Sequence, residues 1–185
     1  MKNDFLIILI ITAICFNGCN HSTNPEDKKE TITALEKLNE VTSLVESFPN
    51  KLELLSINSS NVNDDGESLN WNYKYSAGDP GVDYRFHTDI NGASFDSTST
   101  LVLLGNKVIA NIYFDSNKAL KLAEANGGSD FRKTHKDFVI EATLTEPLVP
   151  NSQPMWFIRY TSETGDQRIL HLGINCVTKE VGFYY

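Results

Sequence analysis

Residues 154–175 read PMWFIRYTSETGDQRILHLGIN, and residues 69–91 read LNWNYKYSAGDPGVDYRFHTDIN. Each stretch carries a Trp, a Tyr four positions later, a polar loop, and a second run that closes on Ile-Asn. Trp71, Tyr73 and Tyr75 alternate with Asn72, Lys74 and Ser76, and Trp156, Ile158 and Tyr160 alternate with Phe157 and Arg159, which is the period of a half-buried strand. A constant offset of 85 carries Trp71 onto Trp156, Tyr75 onto Tyr160, Leu54 onto Val139 and Ala34-Leu35 onto Ala119-Leu120. Such self-similarity predicts an α+β fold of two tandem helix-plus-antiparallel-sheet repeats, 31–114 and 115–185. By period two, Trp71, Tyr75, Trp156 and Tyr160 face the helices as structural aromatics, a core role rather than a site.

The remaining elements follow outward from these strands. Ile32, Leu35, Leu38, Val41, Leu44, Val45 and Phe48 recur at steps of three and four, predicting a helix capped by Thr31 or Thr33 and ended by Pro49. KLELLSI (51–57) and VDYRFHT (82–88) read as strands, and TLVLLGNKVIANIYF (100–114) as two strands around Gly105-Asn106. A second helix is predicted from Asp115 or Ser116 to a stop at Gly127-Gly128. DFVIEATLT, MWFIRYTS, RILHLGIN and EVGFYY then read as strands.

The N-terminus decides the compartment. Lys2 precedes an apolar run from Phe5 to Phe16, too short to span a bilayer and of the length of a signal h-region. The run ends in FNGC, which resembles a bacterial lipobox with Gly18 at the cleavage point and Cys19 as the residue lipidated with palmitate-type chains. An ordinary secretory signal cut nearby is the simpler alternative. Residues 1–18 are thus expected to be a lipoprotein signal, 19–30 a flexible tether containing Pro25, and the protein to sit in the cell envelope, anchored to a bacterial membrane. With Cys15 removed and Cys19 acylated, Cys176 alone remains, so no intramolecular disulfide forms; a buried, inert thiol is expected. The net charge of −8 and pI near 4.9 argue against general nucleic-acid binding.

Catalytic and metal motifs are absent: there is no G-x-S-x-G, H-E-x-x-H, Walker loop or C-x-x-C. His21, His87, His135 and His171 have no ligand spacing, and no metal or other cofactor is expected. Asn61, Asn63, Asp65 and Gly66 echo the start of a calcium loop, but Asn72 stands where the bidentate Glu belongs, so a polar turn is the better reading. If the Trp strands face inward, the opposite face carries Lys74, Arg85, His87, Arg159 and His171, with Asp83 and Glu141 as acidic exceptions. These five form the candidate partner face; an ordinary solvated face of mixed charge is the plainer account.

Residues 115–185 also resemble a PepSY or PepSY-like domain. The likeness rests on SNKALKLAEANGGSDFRKTHKDFVIEATL, then MWFIRYTS, then ILHLGINCVTKEVGFYY, a helix with an Ala-Leu core, a strand, a Trp-initiated strand and a final I-(N/D)-x-x-T-(G/K)-E-V hairpin. Lys179 stands where Gly is usual and Cys176 where Ala is common. The tandem layout further resembles β-lactamase-inhibitor-like folds. The resemblance implies a small, non-catalytic envelope module that binds or restrains proteases or other envelope proteins, and it brings no catalytic residues. The expected function is accordingly a non-enzymatic lipoprotein that binds an envelope protein, a protease among the candidates. A carbohydrate- or peptidoglycan-binding lipoprotein is the first alternative, with Phe157 and edge aromatics stacking on sugars, and a hydrolase with an unrecognised site is the second.

Overall fold

The computed structural model describes residues 31–77, 82–100, 106–165 and 167–184. The expected signal, Cys19 and the tether lie outside the described residues, as does 101–105, the first strand of the expected hairpin around Gly105-Asn106. In chain order the elements are β1 (Ile32–Thr33), α1 (Leu38–Glu46), β2 (Glu53–Ser59), β3 (Glu67–Ser68), β4 (Trp71–Ser76), β5 (Asp83–Asp89), β6 (Gly92–Ser99) and β7 (Asn106–Lys107). They continue with α2 (Ser116–Ala123), a kinked turn (Glu124–Gly128), α3 (Ser129–Thr134), β8 (Phe138–Pro147), β9 (Met155–Ser162), β10 (Ile169–Asn175) and β11 (Val181–Phe183). The class is α+β, mostly antiparallel sheet.

One continuous sheet runs β11-β10-β9-β8-β2-β4-β5-β6, with β7 adding to the far end of β8 and β1 pairing separately with β3. Along the eight-strand path, neighbours are close in sequence at every step but one. The exception is the antiparallel seam between β2 and β8, where Ser56, Ile57, Asn58 and Ser59 pair with Thr145, Leu144, Thr143 and Ala142. The stretches 31–114 and 115–185 therefore share one sheet and one buried core.

The helices cover one face. Val41 and Val45 of α1 pack at the β5–β6 end, and Ala119, Leu120 and Ala123 of α2 pack over β9 and β10. The sheet answers with Trp71, Tyr73, Tyr75, Phe86, Ile140, Leu144, Trp156, Ile158, Tyr160, Leu172 and Ile174. Trp71 and Trp156 are fully buried and meet edge to face, ring centroids 6.1 Å apart at 78°. β2 and β8 lie between their strands, a span of about 14 Å at ordinary strand spacing. Ser59 and Ala142, both buried, pair at the seam between those strands.

Each indole also fixes the segment ahead of a helix. Trp71 Nε1 donates to the Ile32 carbonyl at 2.8 Å, and Trp156 Nε1 donates to the Phe114 carbonyl at 3.1 Å. The Tyr73 hydroxyl donates to the Ala34 carbonyl.

The first helix is shorter than its apolar spacing predicts. Ile32–Thr33 is a strand and Ala34-Leu35 a turn, so the offset of 85 does not align the helices. The backbone that would start the helix has other partners. Asp115 accepts from Thr33 Oγ1 at 2.6 Å and from Leu35 N at 3.0 Å, and Ser116 Oγ accepts from Ala34 N at 2.9 Å. Tertiary bonds outbid the local pattern. Asp115 does cap α2, accepting from Ser116 N. Gly127 does not end the helical run: with φ of +117° it makes a kink, and α3 follows. After β7 the chain makes no second hairpin strand; Ile109 N donates to Leu54 O at 2.8 Å, just past the point where β8 leaves β2.

Candidate functional site

The face away from the helices is the broad open surface of the protein. Register places its residues in rows. His87, Asn72, Asn58, Thr143, Phe157 and Gly173 are successive partners across β5, β4, β2, β8, β9 and β10. Arg85 pairs with Lys74 on one side of that row, and Glu141, Arg159 and His171 line up on the other. Lys74, Arg85, His87, Arg159 and His171 thus occupy the same face, because each is out of step with the buried residues of its strand.

The charges on this face are largely paired. Lys74 Nζ lies 2.7 Å from Asp83 Oδ2, both side chains nearly buried, and Arg159 lies 3.3 Å from Glu141. The two acidic residues read from sequence as exceptions are the counter-ions. His87 shares a hydrogen bond of 2.9 Å with Ser94 Oγ. Arg85 is exposed. Burial, and then the neighbouring Arg159, hold the His171 imidazole below its ordinary pKa, so it carries less charge near neutrality than its residue type suggests.

Two depressions share Phe157. One, of about 290 Å³, is of mixed polarity and is lined by Asn58, Ser60, Glu141, Thr143, Arg159 and His171. The other, of about 470 Å³, is mainly apolar and runs between the β8–β9 loop and Tyr184. Phe157, His171 and Tyr184 form a ring cluster at their junction, with centroid separations of 5.8, 5.2 and 5.9 Å. Sequence reading singled out Phe157 and His171. Tyr184 and the loop were missed, because only the β10–β11 hairpin brings Tyr184 back over β10.

Trp71, Tyr75, Trp156 and Tyr160 are not on this face; they lie in the core. Burial first, then a hydrogen bond to Glu124, pushes the Tyr160 hydroxyl well above the usual phenol range. Burial pushes Tyr75 up to about 12. Neither ring has the exposure or acidity for chemistry.

A wider cleft of about 720 Å³ on the helix side is lined by Asp64, Asp65, Glu67, Lys118, Lys121 and Glu124. Its key carboxylates are committed. Glu124 takes a 2.7 Å ion pair from Arg132 and a 2.8 Å hydrogen bond from Tyr160, and Arg132 reaches Asp64 at 3.0 Å. Glu67 accepts from Thr31 Oγ1 at 2.6 Å. The segment with calcium-loop spacing is a polar turn: Asn63 Oδ1 accepts from the amides of Asp65 and Glu67 at 3.0 and 2.9 Å. Among the described residues no group of three or more His, Cys, Asp and Glu is placed to hold a metal ion.

No family model matches the chain, and no curated protein and no solved structure matches it.

Proposed function

We propose that this chain is a non-catalytic lipoprotein of the bacterial envelope, anchored at Cys19, whose open sheet face docks a protein partner, an envelope protease included. The observation that carries the reading is the face itself: a wide solvent-facing sheet on which the half-buried Phe157 and His171 and the exposed Tyr184 form a ring cluster beside internally paired charges. Such a surface offers shape and a few anchors, as docking surfaces do.

The same reading takes the chain as a duplicated PepSY-like unit. Three features support it. The strands β2 and β8 begin at positions 85 apart. At the seam Asn58 pairs with Thr143, also 85 apart, and a two-fold relation between repeats requires equivalent residues to face each other at its centre. Each repeated Trp donates to a carbonyl in the segment leading to the helix of its own half. The helices do not share the offset, which fits a duplication whose connecting segments have since diverged.

The experiment is site-specific photo-crosslinking in intact envelope, with a photoreactive residue at Arg85 or, as a control, at Lys121 on the helix side. A protein adduct from position 85 and none from 121 is expected. Arg159→Glu, combined with the photoreactive residue at 85, should lose the adduct without losing stability; Lys74 is spared because its buried pair with Asp83 is structural. Adducts confined to position 121 would sink the reading. The ring cluster also suits a sugar, so retention on peptidoglycan with no protein adduct would favour the carbohydrate-binding alternative.

A further inference from the structure

We propose that the apolar groove between the β8–β9 loop and Tyr184 is the anchor pocket of the open face, taking one large neutral apolar side chain from the partner protein. This rests on the docking reading above and names the chemistry that the face recognises.

The loop wall is built rather than slack. Lys107 Nζ donates to the Val149 carbonyl at 2.7 Å and to Ser152 Oγ at 2.9 Å, Ser152 Oγ donates to the Pro147 carbonyl at 2.6 Å, and Ser152 N donates to the Val149 carbonyl at 3.2 Å. These bonds hold Leu148 and Val149 in water, at 54% and 58% exposure. Fixing apolar side chains outward removes the ordering cost from a later contact. The opposite wall is Tyr184. Its ring lies over Gly173, where any Cβ would collide with it, and its hydroxyl reaches Met155 Sδ at 3.7 Å. Phe157 meets it edge to face at 5.2 Å.

The lining selects the occupant. It contains no charged residue, in a chain of net charge −8. An anionic group gains no counter-ion from the lining, and the cation beside it, Lys107, is committed to the Val149 carbonyl and Ser152 Oγ. The polar groups of the lining sit at its rim, where Asn175 Oδ1 accepts from Val177 N and Thr178 N at 2.8 and 3.0 Å, Ser152 is held as described, and Asn151 and Gln153 belong to the loop. A sugar needs many hydroxyls satisfied at once, and the floor of the groove, Met155, Phe157 and Pro147, offers them none. An aromatic or branched aliphatic side chain needs only the apolar floor, and a concave pocket suits a projecting residue.

Met1 and Met155 are the only methionines, so in the full chain labelled at methionine methyls the Met155 resonance reports the groove alone. N-acetyl-phenylalaninamide and N-acetyl-leucinamide should shift it saturably, with Kd on the order of millimolar as expected for so few atoms. N-acetyl-aspartamide and methyl glucoside should leave it unmoved. Val149→Asp, at an exposed position, should weaken the apolar probes tenfold or more at unchanged Tm. No saturable shift from either apolar amide, or a larger one from the glucoside, overturns the pocket. In the crosslinking assay Val149→Asp should also cut the adduct from position 85 at least tenfold. An undiminished adduct overturns the anchor pocket and leaves the docking face standing. Apolar amides that bind without any adduct from the face overturn the docking reading instead.

Discussion

Replacing Trp71 and Trp156 by Leu, singly and together, tests whether the sheet is one cooperative body. Each indole is fully buried and donates a hydrogen bond to a main-chain carbonyl at 2.8 or 3.1 Å. Each Leu variant loses part of a ring's burial and leaves a carbonyl short of its donor, about 3–5 kcal/mol in all. That is a large share of the roughly 5–15 kcal/mol that holds a domain of this size. The rings also touch edge to face at 6.1 Å, a contact worth about 0.5–1.5 kcal/mol beyond area burial. The double variant should therefore cost less than the sum of the singles by about that amount. Urea denaturation followed by far-UV circular dichroism measures all four corners of the cycle. A single transition is expected in each, shifted by either substitution, because the β2–β8 seam and the Trp pair join the two stretches. Coupling below about 0.3 kcal/mol, or two transitions of which each variant moves one, would refute the reasoning.

Further outcomes follow from the titratable and covalent groups. His171 has a lowered pKa in the fold, so the native protein binds its proton less readily than the unfolded chain; stability should be full above pH 6.5 and fall as pH drops through the lower native value. His171→Gln should flatten that loss in urea titrations at pH 7.5 and pH 5, and an unchanged slope would assign it elsewhere. Burial pushes the Cys176 thiol up to about 12, so iodoacetamide at pH 8 should modify it only after unfolding; labelling of the native protein at the rate of a free thiol would contradict its placement. Cys19→Ser should abolish labelling by a palmitate analogue and release the protein from membranes, and retained membrane fractionation would remove the lipid anchor from the proposal.

Strands with strict alternation were legible in the sequence. β4, β9 and β10 fall where Trp71–Tyr75, Trp156–Tyr160 and Leu170–Ile174 place them, because an apolar face must be buried. β6 was not legible: GASFDSTS has no apolar alternation and is a strand because it pairs with β5 and sets Phe95 against Phe48 and Phe86. The start of the first helix was misread because Asp115, Ser116 and Trp71, distant in sequence, take the polar groups of 32–35. The open face was legible by phase, but its electrostatics were not. That Asp83 neutralises Lys74 depends on the diagonal register of β4 and β5, which composition does not encode. The apolar groove depends on a loop clamp from Lys107 and on the return of Tyr184, two contacts between segments with no pattern of their own.

The seam between β2 and β8 sets an order of events in time. Every other ladder of the main sheet's eight-strand path joins neighbours that form soon after they leave the ribosome or the export channel, whereas Asn58 waits for Thr143. Closing that long loop comes late and slowly. Until it closes, β2 presents an open edge beside Trp71 and Tyr73, a template for mispairing with another nascent chain. Weakening the seam with Asn58→Pro should slow refolding far more than it changes the early hairpin signal in stopped-flow circular dichroism, and equal slowing of both phases would place seam closure first. The interval before the C-terminal third emerges would then be the period of greatest need for a chaperone.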